Sequence, residues 1–209
     1  MLNSLGDFDA LIRVAAFQLL LRTGEPVSPQ QLARATGAKL AQVDAALQRM
    51  QSAGRIRTDQ GGSVVGSAGL SVTEDRHEID LEGRRFWTWC AYDILGIFGA
   101  LKASGRALSP SPTGRIILVH FRRGRPVGSD SVLFRPDDDV MSCCENVYEE
   151  WCSNSNLFPD AEQARSWAET HSLSGRVMGL DEASDLATLE WADVTAGYDR
   201  GRPANAQRN

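Results

Sequence analysis

Gly69–Ala103 reads GLSVTEDRHEIDLEGRRFWTWCAYDILGIFGALKA, and two periodicities meet in it. GLSVTEDRHEIDL alternates apolar with polar residues, the pattern of half-buried strands. LEGRRFWTWCAYDILGIFGALKA follows as a dense apolar run of helical length. Strands feeding directly into an apolar helix predict an α+β core starting at about residue 69.

Towards the N-terminus the pattern becomes helical. Phe8, Leu11, Ile12, Ala15, Leu19 and Leu20 recur at helical spacing, so residues 7–22 form an amphipathic helix that Gly24 and Pro26 end. Ser28 is a good N-cap with Pro29 at the first helical position, opening a short helix through Thr36. Gly37 turns the chain into a second helix carrying Leu40, Val43, Ala46, Leu47 and Met50. After Gly54, residues Ile56 to Val65 fit a small hairpin around Gly61 and Gly62. Helix, turn, helix, hairpin is the outline of a winged helix, so residues 1–68 are expected to form a winged-helix-like module and residues 69–209 a mixed-sheet core with flanking helices.

Beyond the decisive stretch, RIILVHF at Arg115–Phe121 is expected as a buried strand and SVLFRP as a weaker one. Asp160–His171 reads as a helix with Ala161, Ala164 and Trp167 inward, and GRVMGL as a closing strand. The tail GYDRGRPANAQRN is polar and expected to be frayed.

The 209 residues carry 22 Lys and Arg against 27 Asp and Glu, a net charge of −5. Phosphate neutralisation therefore disfavours DNA as a partner, and the second helix of the N-terminal module offers only Lys39 and Arg49 as cations. No stretch approaches the ~20 apolar residues that span a bilayer, and Asp7, Asp9 and Arg13 interrupt the N-terminal apolar run where a secretory signal needs an uncharged block. A cytoplasmic chain with reduced thiols is the expectation.

Among chemistry-bearing residues there is no Gly-rich phosphate loop, no HExxH and no paired CxxC spacing. His77, His120 and His171 are scattered and read as structural. Trp89–Asp93, WCAYD, is more pointed. If helical, it sets Cys90 and Asp93 at i, i+3 on one face, and a carboxyl among Trp87, Trp89 and Phe98 would have a raised pKa suited to proton transfer near neutrality. The plainer alternative is a buried cysteine one turn from a solvated aspartate. A second stretch, MSCCENVYEEWCSNSNLF, holds Cys143, Cys144 and Cys152, soft ligands for Hg(II), Cu(I) or Zn(II). Adjacent residues on a strand face opposite ways, so at most one of Cys143 and Cys144 joins a given site.

Taken together these residues resemble the organomercurial (alkylmercury) lyases. EIDLEGRRFWTWCAYDIL is similar to that family's run into its first catalytic cysteine, with the aspartate three residues later. WCSNSNLFPDAEQARSWAETHSLSGRVMGLDEA is similar to the second catalytic segment. Counting back from Trp167 puts Cys152 in register without a gap and Leu157 and Phe158 where the family has bulky residues; Cys143, the runner-up, would need nine inserted residues. The resemblance spans most of the chain and is strongest from residue 69 to 183. The sequence departs from the family at Ser153 after Cys152, at Pro110 or Ser111 near a structural cysteine of some members, and in the additional Cys143 and Cys144.

The resemblance implies protonolysis of carbon–mercury bonds by Cys90, Asp93 and Cys152, with mercury held by the same three residues as substrate and product. It implies no organic cofactor and no resident metal. It also implies that cellular thiols or a mercuric reductase accept the Hg(II). Phe86, Trp87, Trp89 and Trp151 are candidates for a pocket around the organic group, with a core role for at least two of them. The alternatives are a soft-metal (mercury or copper) binding relative of the lyase fold and a thiol-based metal-responsive DNA-binding regulator. Asp93 argues against pure binding, which needs no proton shuttle.

Overall fold

The computed structural model describes residues 6–198. Helix α1 (Asp7–Thr23) starts with Asp7 and Asp9 in its first turn, where the helix dipole favours negative charge, and ends at Gly24, which is left-handed at φ 71°. Helix α2 (Pro29–Thr36) opens with a capping box between Ser28 and Gln31. After the left-handed Gly37, α3 (Leu40–Ser52) buries Val43, Ala46, Leu47 and Met50. Strands β1 (Ile56–Thr58) and β2 (Val64–Ser67) form the expected hairpin, its turn tied by Asp59 Oδ1, which accepts from the N–H groups of Gly61 and Ser63 at 2.9 Å each.

This hairpin is continuous with the rest of the sheet. The chain continues through β3 (Leu70–Ser71), β4 (His77–Leu81), β5 (Arg84–Thr88), β6 (Gly105–Pro110), β7 (Ile116–Arg122) and β8 (Arg125–Val127). The eight strands lie in the order β1-β2-β3-β5-β4-β6-β7-β8, and every described pairing is antiparallel, which corrects the expected mixed sheet. Strand β7, expected from its composition to be buried, alternates instead, with Ile117, Val119 and Phe121 inward and Ile116 and Leu118 exposed. One covered face and one wet face is the usual arrangement for an antiparallel sheet.

Helix α4 (Ala91–Leu101) lies in the core, packed against α7 (Leu180–Thr195). Two glycines permit that approach: a Cβ at Gly96 would run into the Trp191 ring, and one at Gly99 into the Thr188 hydroxyl. The apolar run from residue 81 is thus divided. Its first part pairs as β5, and only Ala91 onward is helical.

A second, three-stranded antiparallel sheet runs β10-β9-β11, from Asn156–Phe158, Val132–Pro136 and Gly175–Gly179. Helix α6 (Ala161–Thr170) covers it, burying Ala164 and Ala168 against Phe134 and Phe158, with Trp167 half-buried between the rings. Between β9 and β10 the chain forms a short helix α5 (Asp138–Cys143), a π-helical turn over Val147–Trp151 and a 3₁₀ turn over Cys152–Asn154. None of the described helices is long and apolar enough to cross a membrane. Most of the tail expected to be frayed lies outside the described residues.

Candidate active site

Strand β5 ends at Thr88, and the next two residues turn the chain into α4. Cys90 is the N-cap of that helix, with extended backbone at φ −142°, ψ 170°. It therefore does not share a helical face with Asp93, which corrects the reading from the i, i+3 spacing. The two meet through a reciprocal cap: the Cys90 N–H donates to Asp93 Oδ2 at 2.9 Å, and the Asp93 N–H points at the Cys90 sulfur. Cysteine replaces the usual Ser or Thr of a capping box, and aspartate the usual Glu or Gln.

Cys152 arrives from the other side. It closes the π-helical turn, donating its N–H to the Val147 carbonyl, and begins the 3₁₀ turn. Two links hold this segment against the rest of the site. The Ala91 N–H donates to the Ser155 carbonyl at 3.0 Å, and the Val147 N–H to the Ala53 carbonyl at 3.1 Å. Single π-helical turns are uncommon and concentrate at functional sites. Within this one, Tyr148 packs edge-on to Trp89, with ring centroids 5.7 Å apart, and its hydroxyl donates to Asp75 at 3.1 Å. Arg57 and Arg76 flank the tyrosine ring, and Arg57 also pairs with buried Asp75.

The fold thus brings three sequence candidates together: ligand atoms of Cys90, Asp93 and Cys152 all lie within 4.8 Å of one another. All three are buried, and both cysteines are free thiols. Asp93 and Cys152 line a cavity of about 20 Å³, the space of roughly one water, with Arg13, Arg55, Gly69, Trp89 and Trp151. Cys143 and Cys144 lie outside the cluster. Cys143 ends α5 exposed, and Cys144 directs its sulfur to the Met141 carbonyl at 3.2 Å; the pair sits at a helix end and not on a strand.

Burial dominates the electrostatics. It pushes the Asp93 carboxyl up to about 6, against the opposing hydrogen bonds from Cys90 and the charge of Arg13. Burial, contact with Cys152 and the charge of Asp93 drive the Cys90 thiol well above its ordinary range. For Cys152 the contact with Cys90 lowers the pKa, but burial and the Asp93 charge leave it raised. At rest the site therefore contains two protonated thiols beside a carboxyl that titrates near neutrality, a set able to bind a soft cation and move one proton.

Of the aromatic candidates, Trp89 and Trp151 line the cavity. Phe98 instead stacks on Phe121 at 4.0 Å between centroids, Trp87 sits on β5 opposite Ser71 and Glu78, and Phe86 is a core residue under Arg84. His77, read as structural, is buried with Ser109 at 2.8 Å and is not part of the three-residue cluster. Sequence reasoning missed Arg13 and Gly69. Arg13 was legible as a charge sharing the inner face of α1 with Phe17 and Leu20; the role of Gly69 depends on a contact with no local signal.

A family model described as alkylmercury lyase matches residues 70–192. An alkylmercury lyase of Bacillus cereus is 30% identical over 195 residues, spanning 89% of this chain and 82% of its relative. One from Pseudomonas putida is 29% identical over 175 residues, 79% and 76% of the two chains. The chain is also similar to the crystal structure of the mercury-bound form of MerB2, with a TM-score of 0.78 and 25% identity over 92% of this chain and 94% of that one.

Proposed function

The chain belongs to the alkylmercury lyase family, and from that premise we propose that it breaks carbon–mercury bonds with Cys90, Asp93 and Cys152. The observation that supports this assignment of residues is the reciprocal cap that joins Cys90 to Asp93 while Cys152 faces both.

An organomercurial R–Hg⁺ is a soft cation that favours thiolates. Cys152 lines the cavity whereas Cys90 lies behind it, which favours Cys152 as the first ligand. Mercury replaces its proton. The Cys90 thiol, in hydrogen-bonding contact with Asp93, passes its proton to the carboxylate and adds to mercury as a second thiolate. Electron donation from two sulfurs weakens the carbon–mercury bond. Asp93, now the acid, delivers the same proton to carbon, so that R–H departs and Hg(II) remains bridged by two thiolates. A carboxyl near 6 suits both roles: it is mostly ionised at pH 7 yet close enough to neutrality to take and return a proton.

No organic cofactor or resident metal enters this reading, because mercury is itself the substrate. The bound Hg(II) would leave by exchange to another dithiol, such as cellular thiols or a mercuric reductase, in the cytoplasm. Helices α1–α3 with the β1–β2 hairpin are read as the winged-helix-like part of the lyase, serving packing. Arg49, the one cation within α3, which Lys39 caps, is paired with Asp9 at 2.6 Å, which weakens the case for a DNA-binding surface there. The direct test is to supply methylmercury or phenylmercury with excess thiol and measure methane or benzene. Absence of hydrocarbon while mercury stays bound would refute the lyase and leave a soft-metal binder.

A further inference from the structure

Arg13 lies on the inner face of α1 between Ile12, Ala16 and Phe17, all fully buried, and is itself only 5% exposed. Arginine at that depth is normally paired, since an uncompensated buried charge is strongly unfavourable. Yet Nε and Nη1 have no hydrogen-bond partner. Asp9 pairs with Arg49, and Asp93, whose Oδ2 accepts from the Cys90 N–H, acts on Arg13 through its charge and not through a hydrogen bond. The guanidinium lines the same cavity as Cys152 and Asp93, and Arg55 lines it too. Two arginines and one carboxylate thus line the cavity, which is short of an anion.

These cations do not serve mercury, whose positive charge they repel; they suit something that accompanies it. A soft R–Hg⁺ ion in a thiol-containing medium travels as R–Hg–S–R′. We infer that Arg13 is the receptor for a carboxylate on this incoming complex, placed on the carrier thiol R′ or on the organic group R. The inference rests on the lyase reading. Transfer would follow as R–Hg–S–R′ plus Cys152–SH giving R–Hg–S–Cys152 plus R′–SH: one mercury–sulfur bond forms, one breaks, and the Cys152 proton leaves on the carrier. A carboxylate held by Arg13 brings mercury to the sulfur before that exchange, with the charge-assisted bonds for which guanidinium is suited.

Two substrate pairs test this with the full chain. Methylmercury is presented on 3-mercaptopropionate or on its neutral amide. Phenylmercury and 4-carboxyphenylmercury are each presented on the neutral amide thiol. At least one carboxylate member should show kcat/KM about 10-fold above its neutral partner, and the pair that shows it identifies the source as carrier or organic group. In Arg13→Gln the ratio should fall to about one, and Arg13→Lys should restore part of it. Equal rates within both pairs for the wild type, or an undiminished ratio in Arg13→Gln, overturns the proposal. Should Arg13→Gln not fold, inhibition of the wild type by mercury-free propionate against propionamide decides: inhibition by the acid alone supports it, equal or absent inhibition refutes it. Hydrocarbon release from the neutral-carrier substrates reports on the lyase reaction separately, so a missing carboxylate preference with release intact counts against Arg13 alone.

Discussion

Cys90 caps the helix that carries Asp93, and Asp93 caps Cys90 in return, its Oδ2 accepting from the Cys90 N–H at 2.9 Å. On the proposed mechanism the carboxylate that transfers the proton is therefore also a helix-capping group. Asp93→Asn separates the two functions, because the amide oxygen still accepts from Cys90 but the side chain carries no transferable proton. Turnover should fall by about 10²–10⁴, the range of general acid–base catalysis, while mercury binding stays at one per chain. Equal loss of mercury binding and turnover would show that Asp93 acts only as a ligand.

On the same mechanism Asp93 should set the acid limb of the pH profile. Its carboxyl is raised by burial to about 6, and the form that accepts the Cys90 proton is the ionised one. That form fades as pH falls through about 6, so kcat/KM should drop about tenfold for each further step of one in pH. The value belongs to the coupled thiol–carboxyl group and is read as an apparent one. A profile flat from pH 7 to pH 5 would remove Asp93 as the base.

The choice between Cys152 and the Cys143–Cys144 pair is decided by serine substitutions. Cys152→Ser and Cys90→Ser should each reduce hydrocarbon release below detection, since two thiolates must converge on mercury. Cys143→Ser, at an exposed helix end outside the cluster, should retain wild-type rates. Loss of turnover in Cys143→Ser with Cys152→Ser active would invert the assignment.

Much of this architecture is legible in the sequence because the chain is clearly punctuated. Gly24, Ser28 with Pro29, Gly37 and Gly54 mark the ends of α1–α3 at the positions the structure has them. The Trp87–Cys90 run misleads because aromatic and apolar residues serve a buried strand and a buried helix equally, so periodicity starts α4 too early. Cys90 is an uncommon cap, and nothing local announces it. Arg13 and Gly69 bear on a residue 80 and 24 positions away, Asp93, the first through its charge and the second through close approach. Periodicity carries no such information.

Buried His77 gives the fold its own acid sensitivity. Burial, aided by Arg76, lowers its pKa to about 3 from an ordinary 6.5, and Nδ1 is satisfied by Ser109 while Nε2 has no partner. The unfolded chain binds a proton below pH 6.5 that the folded chain refuses until about 3. Stability is therefore full above 6.5 and lost as pH falls between these values, by up to about 5 kcal/mol, since each tenfold weakening of proton affinity is worth ~1.4 kcal/mol. Urea midpoints at pH 7.5 and pH 5 should differ for the wild type and differ less for His77→Gln. An unchanged difference would place the sensitivity elsewhere.

Gly69 supports Asp93 from behind. It is left-handed at φ +83° in the turn between β2 and β3, its carbonyl accepts the Trp89 N–H at 3.1 Å, and a Cβ there would overlap the Asp93 carboxyl group. Gly69→Ala therefore has two effects: backbone strain of about 1–2 kcal/mol, and displacement of the carboxyl from Cys90. Gly37 isolates the first effect, being left-handed at φ +71° with nothing within 4 Å of the would-be Cβ. Gly37→Ala should lower stability by a similar ~1–2 kcal/mol and keep full turnover per folded molecule. Gly69→Ala should lose turnover by at least about 10² at temperatures where it remains folded, because a carboxyl moved by an ångström no longer meets the thiol proton. If the two variants lose activity only in proportion to their unfolding, Gly69 is a turn residue and nothing more.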